Sequence, residues 1–420
     1  MPRTSDELAA LYRDLHQHPE LGFAETRTAA LAADHLETAR YEVHRGIGRT
    51  GVAGVLRRGP GPTVLLRADM DALPVREETG LPYASTVTAT VDGDGPPVPV
   101  MHACGHDVHV TCLLGAADRL AADASWSGTL VVVLQPAEEL GAGARAMVDD
   151  GLYDRVPRPD VVLGQHVAPL PAGVLGLRGG VAFAASDTLT VTLHGQGAHA
   201  SRPENAVDPI VLAAAVVLRL QTIVARELPA TEPAVVTVGS LHAGTVPNVI
   251  PDRATLGLSV RTFDPGVRAR VLAAIERIVR GEAAAAGAPP PEVTHTSSFP
   301  AVVNDPAAVE RTAAALGRLP VHLVDPGLVT GSEDVGLLAA AAEAPCCYWL
   351  LGGADPAAFA EVTGDRELAE RVAELPGNHS PSFAPVVEPT LTLGVEALVV
   401  AAQAWLASSP VAGGADGTPG

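Results

Sequence analysis

Residues 101–109, MHACGHDVH, place His102, Cys104, His106, Asp107 and His109 within nine positions. All five are types that bind metal ions or move protons. A reduced thiol beside imidazoles is a soft ligand set suited to zinc or a related ion. Gly105 separates Cys104 from His106 and lets the backbone bend so that both side chains reach one centre. A buried cysteine flanked by solvated histidines is the plainer alternative, so partners elsewhere in the chain must decide.

Other stretches carry matching types. RADMDALP (67–74) holds Asp69 and Asp71, a pair suited either to a solvated turn or to orienting a metal-bound histidine. QPAEE (135–139) ends in consecutive carboxylates, which cost free energy when buried unless cations pair with them. Adjacent side chains point different ways, so one can bind a metal while its neighbour takes a proton from water. Glutamates at a helix N-terminus are the alternative there. His166 in DVVLGQH and His379 in GNHSPSF each read as structural when taken alone. Joined to Cys104, His106 and Glu139, they give one thiolate, one carboxylate and three imidazoles, enough for two adjacent divalent ions with open positions. His199 in GQGAHASRP, Asn248 in GTVPNVIPD and Arg261 in SVRTF are donors that can hold an oxyanion or a substrate carboxylate. Arg261 suits an ordinary strand surface equally well.

These groups need a scaffold. Apolar positions at helical spacing predict a helix over 5–18, with Ser5 as a cap and Pro19 as its stop. GVAGVLRR, TVLLRADM, TLVVVLQP and DVVLGQH read as strands, the last ending at His166, and 107–122 reads as a helix. Strands alternating with helices predict an α/β domain with a mainly parallel sheet. Ligands bind such sheets at the C-terminal ends of strands, where the polar residues gather here. From about residue 185 the pattern changes to strand, helix (207–226), two strands, helix (265–287) and strand. That order matches a ferredoxin-like split βαβ unit. The expected division is a discontinuous metal-binding domain over 1–184 and 300–408, an inserted α+β domain over 185–299, and a disordered tail over 409–420.

Composition agrees with two packed domains: 420 residues, 47% hydrophobic and 18% charged. A net charge of −20 disfavours nucleic acid and anionic lipid as partners. Charges interrupt the apolar runs before about 18 residues, so no membrane span is expected. The N-terminus shows no apolar leader, and the four cysteines form no disulfide framework. A cytoplasmic protein is the expectation.

The motifs together resemble the M20 metallopeptidase family, in its amidohydrolase branch of hippurate hydrolases, N-acyl amino acid amidohydrolases and auxin-conjugate hydrolases. The likeness runs from HPELGF (18–23) to NHSP (378–381). It implies a two-metal, aminopeptidase-like catalytic domain interrupted by a lid that also dimerises the chain. Carried over motif by motif, the metal ligands are Cys104, His106, Glu139, His166 and His379. Glu138 is the general base, and Asp71 joins it in the catalytic set. His199 reaches into the partner subunit's site to help hold the oxyanion. Asn248 helps bind substrate, and Arg261 is expected to assist. Asp107 and His109 then fall into supporting roles, and His102 shapes the turn. Two divalent ions per subunit are implied; a thiolate ligand favours zinc, while manganese, cobalt or nickel suit open sites. Leu140 stands where the family has glycine, and Val335 and the DTLTV strand lack expected aromatics, which bears on pocket shape. The activity implied is hydrolysis of N-acyl amino acids, with a dipeptidase or carboxypeptidase of the same superfamily as the alternative. Two rivals make less of these residues: a thiol hydrolase using Cys104 and His106, and a metal-dependent binding protein without turnover.

Overall fold

The computed structural model describes residues 2–91 and 95–408, and the chain divides into two compact units. The first runs to Gly180 and resumes over Asn304–Gly327 and from Asp334; the second comprises Val181–Val303 and Leu328–Glu333. The short segment Leu328–Glu333 joins the second unit because Ala184 N–H donates to Val329 and Gly331 carbonyls, and Val329 N–H to Ala182. The tail expected over 409–420 lies outside the described residues.

The first unit is built on a nine-stranded mixed sheet. Its centre is four parallel strands, in the order Trp126–Gln135, Thr63–Asp69, Val161–Pro171 and Cys346–Ala354. Gly51–Arg58 and Glu42–Ile47 extend one side antiparallel. The central strands are near-continuous apolar runs because both faces are covered. Val64, Leu66, Leu130, Val132 and Leu163 are fully buried against the helices Ser5–Gln17, Thr26–Thr38, His106–Ala122 and Thr390–Trp405. Strand register then sets the chemistry. Asp69 pairs with Gln135, and Arg67 with Gly164. Asp71, Glu138 and Glu139 therefore follow the C-terminal ends of two adjacent strands, and His166 stands level with those ends on the next one. The strand carrying His166 does not stop there but runs to Pro171, where it still pairs with Ala354. The first helix is capped by Thr4, not Ser5: Thr4 and Glu7 form a reciprocal capping box.

The second unit has a four-stranded antiparallel sheet in the order Ala234–Ala243, Arg253–Thr262, Ala185–His194, Glu292–Phe299. Helices Pro209–Leu220 and Pro265–Ala285 complete the β-α-β-β-α-β order. Alternate residues Leu189, Val191, Leu256, Leu258 and Val260 meet Val216, Leu220, Val271 and Ile275 in its core. By length and composition alone, Pro209–Glu227 is apolar enough to cross a membrane. Its Leu212, Val216, Leu220 and Ile223 belong to this core, which accounts for that apolarity.

One buried charge network ties the first helix to the metal-ligand candidates. The His16 ring lies 2.6 Å from Asp107 Oδ2 and 3.0 Å from Glu77 Oε1, all fully buried. Burial opposes its charge, but the two carboxylates win and raise its pKa from 6.5 to about 10. A raised pKa contributes stability that is complete below 6.5 and is lost as pH climbs through about 10. The melting temperature of the native chain should therefore exceed that of His16→Gln at pH 7, and the gap should narrow towards pH 10. A gap that stays constant across that range contradicts the assignment.

Candidate metal centre

Gly105 adopts φ 83°, and a Cβ there would sit 2.4 Å from Val167 Cγ1. A left-handed glycine is what turns the chain from Cys104 into the helix that starts at His106. Cys104, His106 and His166 each bring a ligand atom within 4.8 Å of the other two, and so do Cys104, Glu139 and His379. Cys104 is common to both groups. The five ligands expected from separate stretches are therefore one cluster with two overlapping donor sets, suited to two divalent ions. Glu138 stands beside it, grouped with His106 and Glu139 within the same 4.8 Å.

The hydrogen bonds define each imidazole. His166 Nδ1 donates to the Val167 carbonyl at 2.8 Å, so its Nε2 carries the lone pair, 3.5 Å from Cys104 Sγ. Burial, with His109 alongside, holds His166 well below the usual imidazole range and keeps it neutral. His109 is different. Its Nε2 accepts from Val167 N–H at 2.8 Å, and its Nδ1 donates to Asp69 at 2.5 Å. Both nitrogens are used, which suits His109 to supporting the centre. His106 is fully buried, and among the described residues neither of its ring nitrogens has a hydrogen-bond partner; Glu139 Oε1 is in the same position. Asp71 Oδ1 lies 3.3 Å from His106 Nδ1, and Asp69 Oδ2 lies 3.6 Å from Nε2. Burial opposes a charge on His106, but Asp69, Asp71 and Glu139 raise its pKa to about 10. Burial also pushes the Cys104 thiol well above its ordinary value, with Glu139 and Glu138 adding to it. A thiolate nucleophile does not fit such surroundings. Buried donors without partners, set among carboxylates that favour positive charge, fit divalent cations.

The carboxylates are themselves held. Burial opposes ionisation of Asp69, yet His106, His109 and Arg67 more than offset it and keep its pKa well below the usual range. Asp71 accepts the N–H groups of Glu138 and Glu139 at 3.1 and 3.0 Å, which makes it the orienting group of the paired glutamates. His379 has φ 71° and sits 3.3 Å from Glu139 Oε1. Its neighbour Asn378 donates to the carbonyls of Cys104 and Val167, clamping the Cys104 turn to the strand that carries His166.

Residues 65–372 match Peptidase family M20/M25/M40. The chain belongs to that family. It is 38% identical over 331 residues to an N-acetyl-L-cysteine deacetylase of Bacillus subtilis, covering 78% of this chain and 76% of the relative. It is 42% identical over 281 residues to a hippurate hydrolase of Campylobacter jejuni, covering 66% and 70%. Among solved structures, the YXEP protein of Bacillus subtilis, described as a dinuclear metal binding peptidase from the M20 family, superposes with a TM-score of 0.73 at 30% identity, over 96% of this chain and 98% of that one. The resemblance read from the motifs is thus borne out.

In this M20 chain the remaining site candidates lie in the second unit. Strands Ala198–His199 and Val249–Ile250 pair, and Ala200 N–H donates to the Asn248 carbonyl at 3.0 Å, so His199 and Asn248 are neighbours. Arg261 is on a different strand, opposite Ser186, and donates to Ser332 Oγ at 2.6 Å. Arg67, Asn378 and Glu25 were not singled out by motif reading. Arg67 is signalled by strand alternation, which puts it on the same face as Asp69; its guanidinium reaches Asp69 at 2.8 Å and Asp334 at 3.2 Å. Replacing Asp71 with asparagine removes one of two acceptors for the Glu138 and Glu139 amides. Divalent-ion affinity should fall ~10–100-fold with the fold retained, read by competition with a chromogenic chelator; unchanged affinity refutes the orienting role.

Proposed function

We propose that this protein is a metal-dependent amidohydrolase that cleaves N-acyl amino acids to a carboxylic acid and a free amino acid. The observation that carries the reading is the meeting of two donor groups at Cys104, with Glu138 beside them. Cys104, His106, Glu139, His166 and His379 would hold two divalent ions. The thiolate favours zinc, and manganese, cobalt or nickel also suit such a site. Bound there, the ions supply Lewis acidity and lower the pKa of water. Glu138 takes a proton from water, the oxygen attacks the amide carbonyl, and Glu138 returns the proton to the departing amine nitrogen.

The second unit serves as a lid and as the dimer contact. His199 Nδ1 accepts from Ser201 N–H at 3.1 Å, so the ring proton stands on Nε2, where it can donate to an oxyanion. In the dimer that donor comes from the partner subunit. Asn248 beside it binds substrate. Arg261 is half-buried, its one side-chain hydrogen bond among the described residues goes to Ser332 and no carboxylate acts on it, so the amino acid's carboxylate is its natural partner. Exposed Val211 and Leu218 on one helix, and Val235 and Leu241 on an edge strand, support association of two copies through this unit.

The test is a hydrolysis screen of N-acyl amino acids and free-amine dipeptides on metal-stripped protein, with zinc, manganese, cobalt or nickel restored. Acyl amino acids should be turned over and dipeptides not, with no activity before metal is restored. Glu138→Ala should keep its metal and lose roughly 10³-fold in kcat. Dipeptide turnover alone, or native kcat in Glu138→Ala, refutes the reading.

A further inference from the structure

The backbone ahead of Glu138 is strained, and one buried side chain holds it. Ala137 has φ 47° and Phe23 φ 62°, left-handed values that a residue with a Cβ keeps only when its surroundings enforce them. Both N–H groups donate to the same atom, Glu25 Oε1, at 2.8 Å from Ala137 and 2.9 Å from Phe23. Thr50 Oγ1 donates to the other carboxylate oxygen at 2.5 Å. Glu25 is wholly buried. It stands at the start of the helix Thr26–Thr38, yet its side chain makes no cap there. Glu20 does that instead, accepting the N–H groups of Arg27 and Thr28 at 2.9 and 2.8 Å. Glu25 is thereby released to turn inward and join three loops. Asp71 continues the row, accepting the next two amides, from Glu138 and Glu139. Three successive N–H groups, at 137, 138 and 139, are thus gripped by two buried carboxylates.

We propose that Glu25 is a positioning residue for the Glu138–Glu139 turn: by holding Ala137 left-handed it sets where the Glu138 carboxylate stands. The proposal rests on the amidohydrolase reading above. What matters in it is reach and acceptor geometry: the side chain must be long enough to bring one oxygen to both amides. Glutamine keeps that reach and an acceptor oxygen, and its amide can donate to Thr50. Aspartate keeps the charge but is one methylene short.

The experiment compares kcat, KM, bound metal and melting temperature in the metal-loaded, full-length chain and its Glu25→Ala, Glu25→Gln and Glu25→Asp variants, on an N-acyl amino acid the native chain hydrolyses. Glu25→Ala should lose ~10²-fold in kcat with KM and metal content close to native. Glu25→Gln should recover to within about tenfold of native, and Glu25→Asp should stay below it. If Glu25→Ala does not fold, the order of Gln above Asp in kcat carries the test. Native kcat in Glu25→Ala, loss of turnover that follows loss of metal, or aspartate equal to or better than glutamine overturns the proposal. If the native chain hydrolyses no N-acyl amino acid, the amidohydrolase reading fails first and the proposal falls with it; if it does while the variants match it, only the role of Glu25 fails.

Discussion

Burying carboxylates costs several kcal/mol for each ion unless positive charge and hydrogen bonds meet them. The first unit buries Asp69, Asp71 and Glu138 and half-buries Glu139 at the ends of adjacent parallel strands. Arg67 neutralises part of this charge from within the sheet, between Asp69 and Asp334. His106, enclosed by three of the carboxylates and without a hydrogen bond to its ring nitrogens among the described residues, marks where further positive charge belongs. The donor cluster around Cys104 follows from this imbalance.

The parallel sheet makes the arrangement possible because two of its central strands end level, at Asp69 and Gln135, beside His166 on the next strand. Register alone brings Asp69 opposite Gln135, and the loops that follow need only a few residues to reach the centre. Backbone amides then do much of the fixing. Carboxylates that accept N–H groups from the turn that carries Glu138 and Glu139 couple the position of these two side chains to the fold around them. Left-handed residues at Gly105, Ala137 and His379 give those turns their sharpness. Only the first of these is a glycine; the other two are kept in place by contacts from elsewhere in the chain.

The parts of this that were legible in the sequence are the parts with local signals. Apolar runs marked the central strands, alternation marked the second unit, and the dense MHACGHDVH stretch marked two candidate ligands, Cys104 and His106. His109, read there as a supporting residue, has both ring nitrogens hydrogen-bonded, to Asp69 and Val167. What escaped was long-range. Asn378 reaches Cys104 across the length of the chain, and Glu25 reaches Ala137 from a helix start where an acid suggests only a cap. A positive φ at alanine leaves no mark in composition, and so the strained turn ahead of Glu138 could not be read beforehand. The thiol-hydrolase rival loses ground for a physical reason also invisible in sequence: the thiol is buried among carboxylates that oppose its ionisation.

The central claim is that one cluster sharing Cys104 takes up two cations. Calorimetric titration of zinc into the chelator-stripped native chain, repeated in buffers of different ionisation enthalpy, tests it directly. The account predicts two ions bound per chain with release of protons, because the Cys104 thiol and the His106 imidazolium must give up theirs to become ligands. Uptake of one ion or none, or binding without proton release, contradicts it.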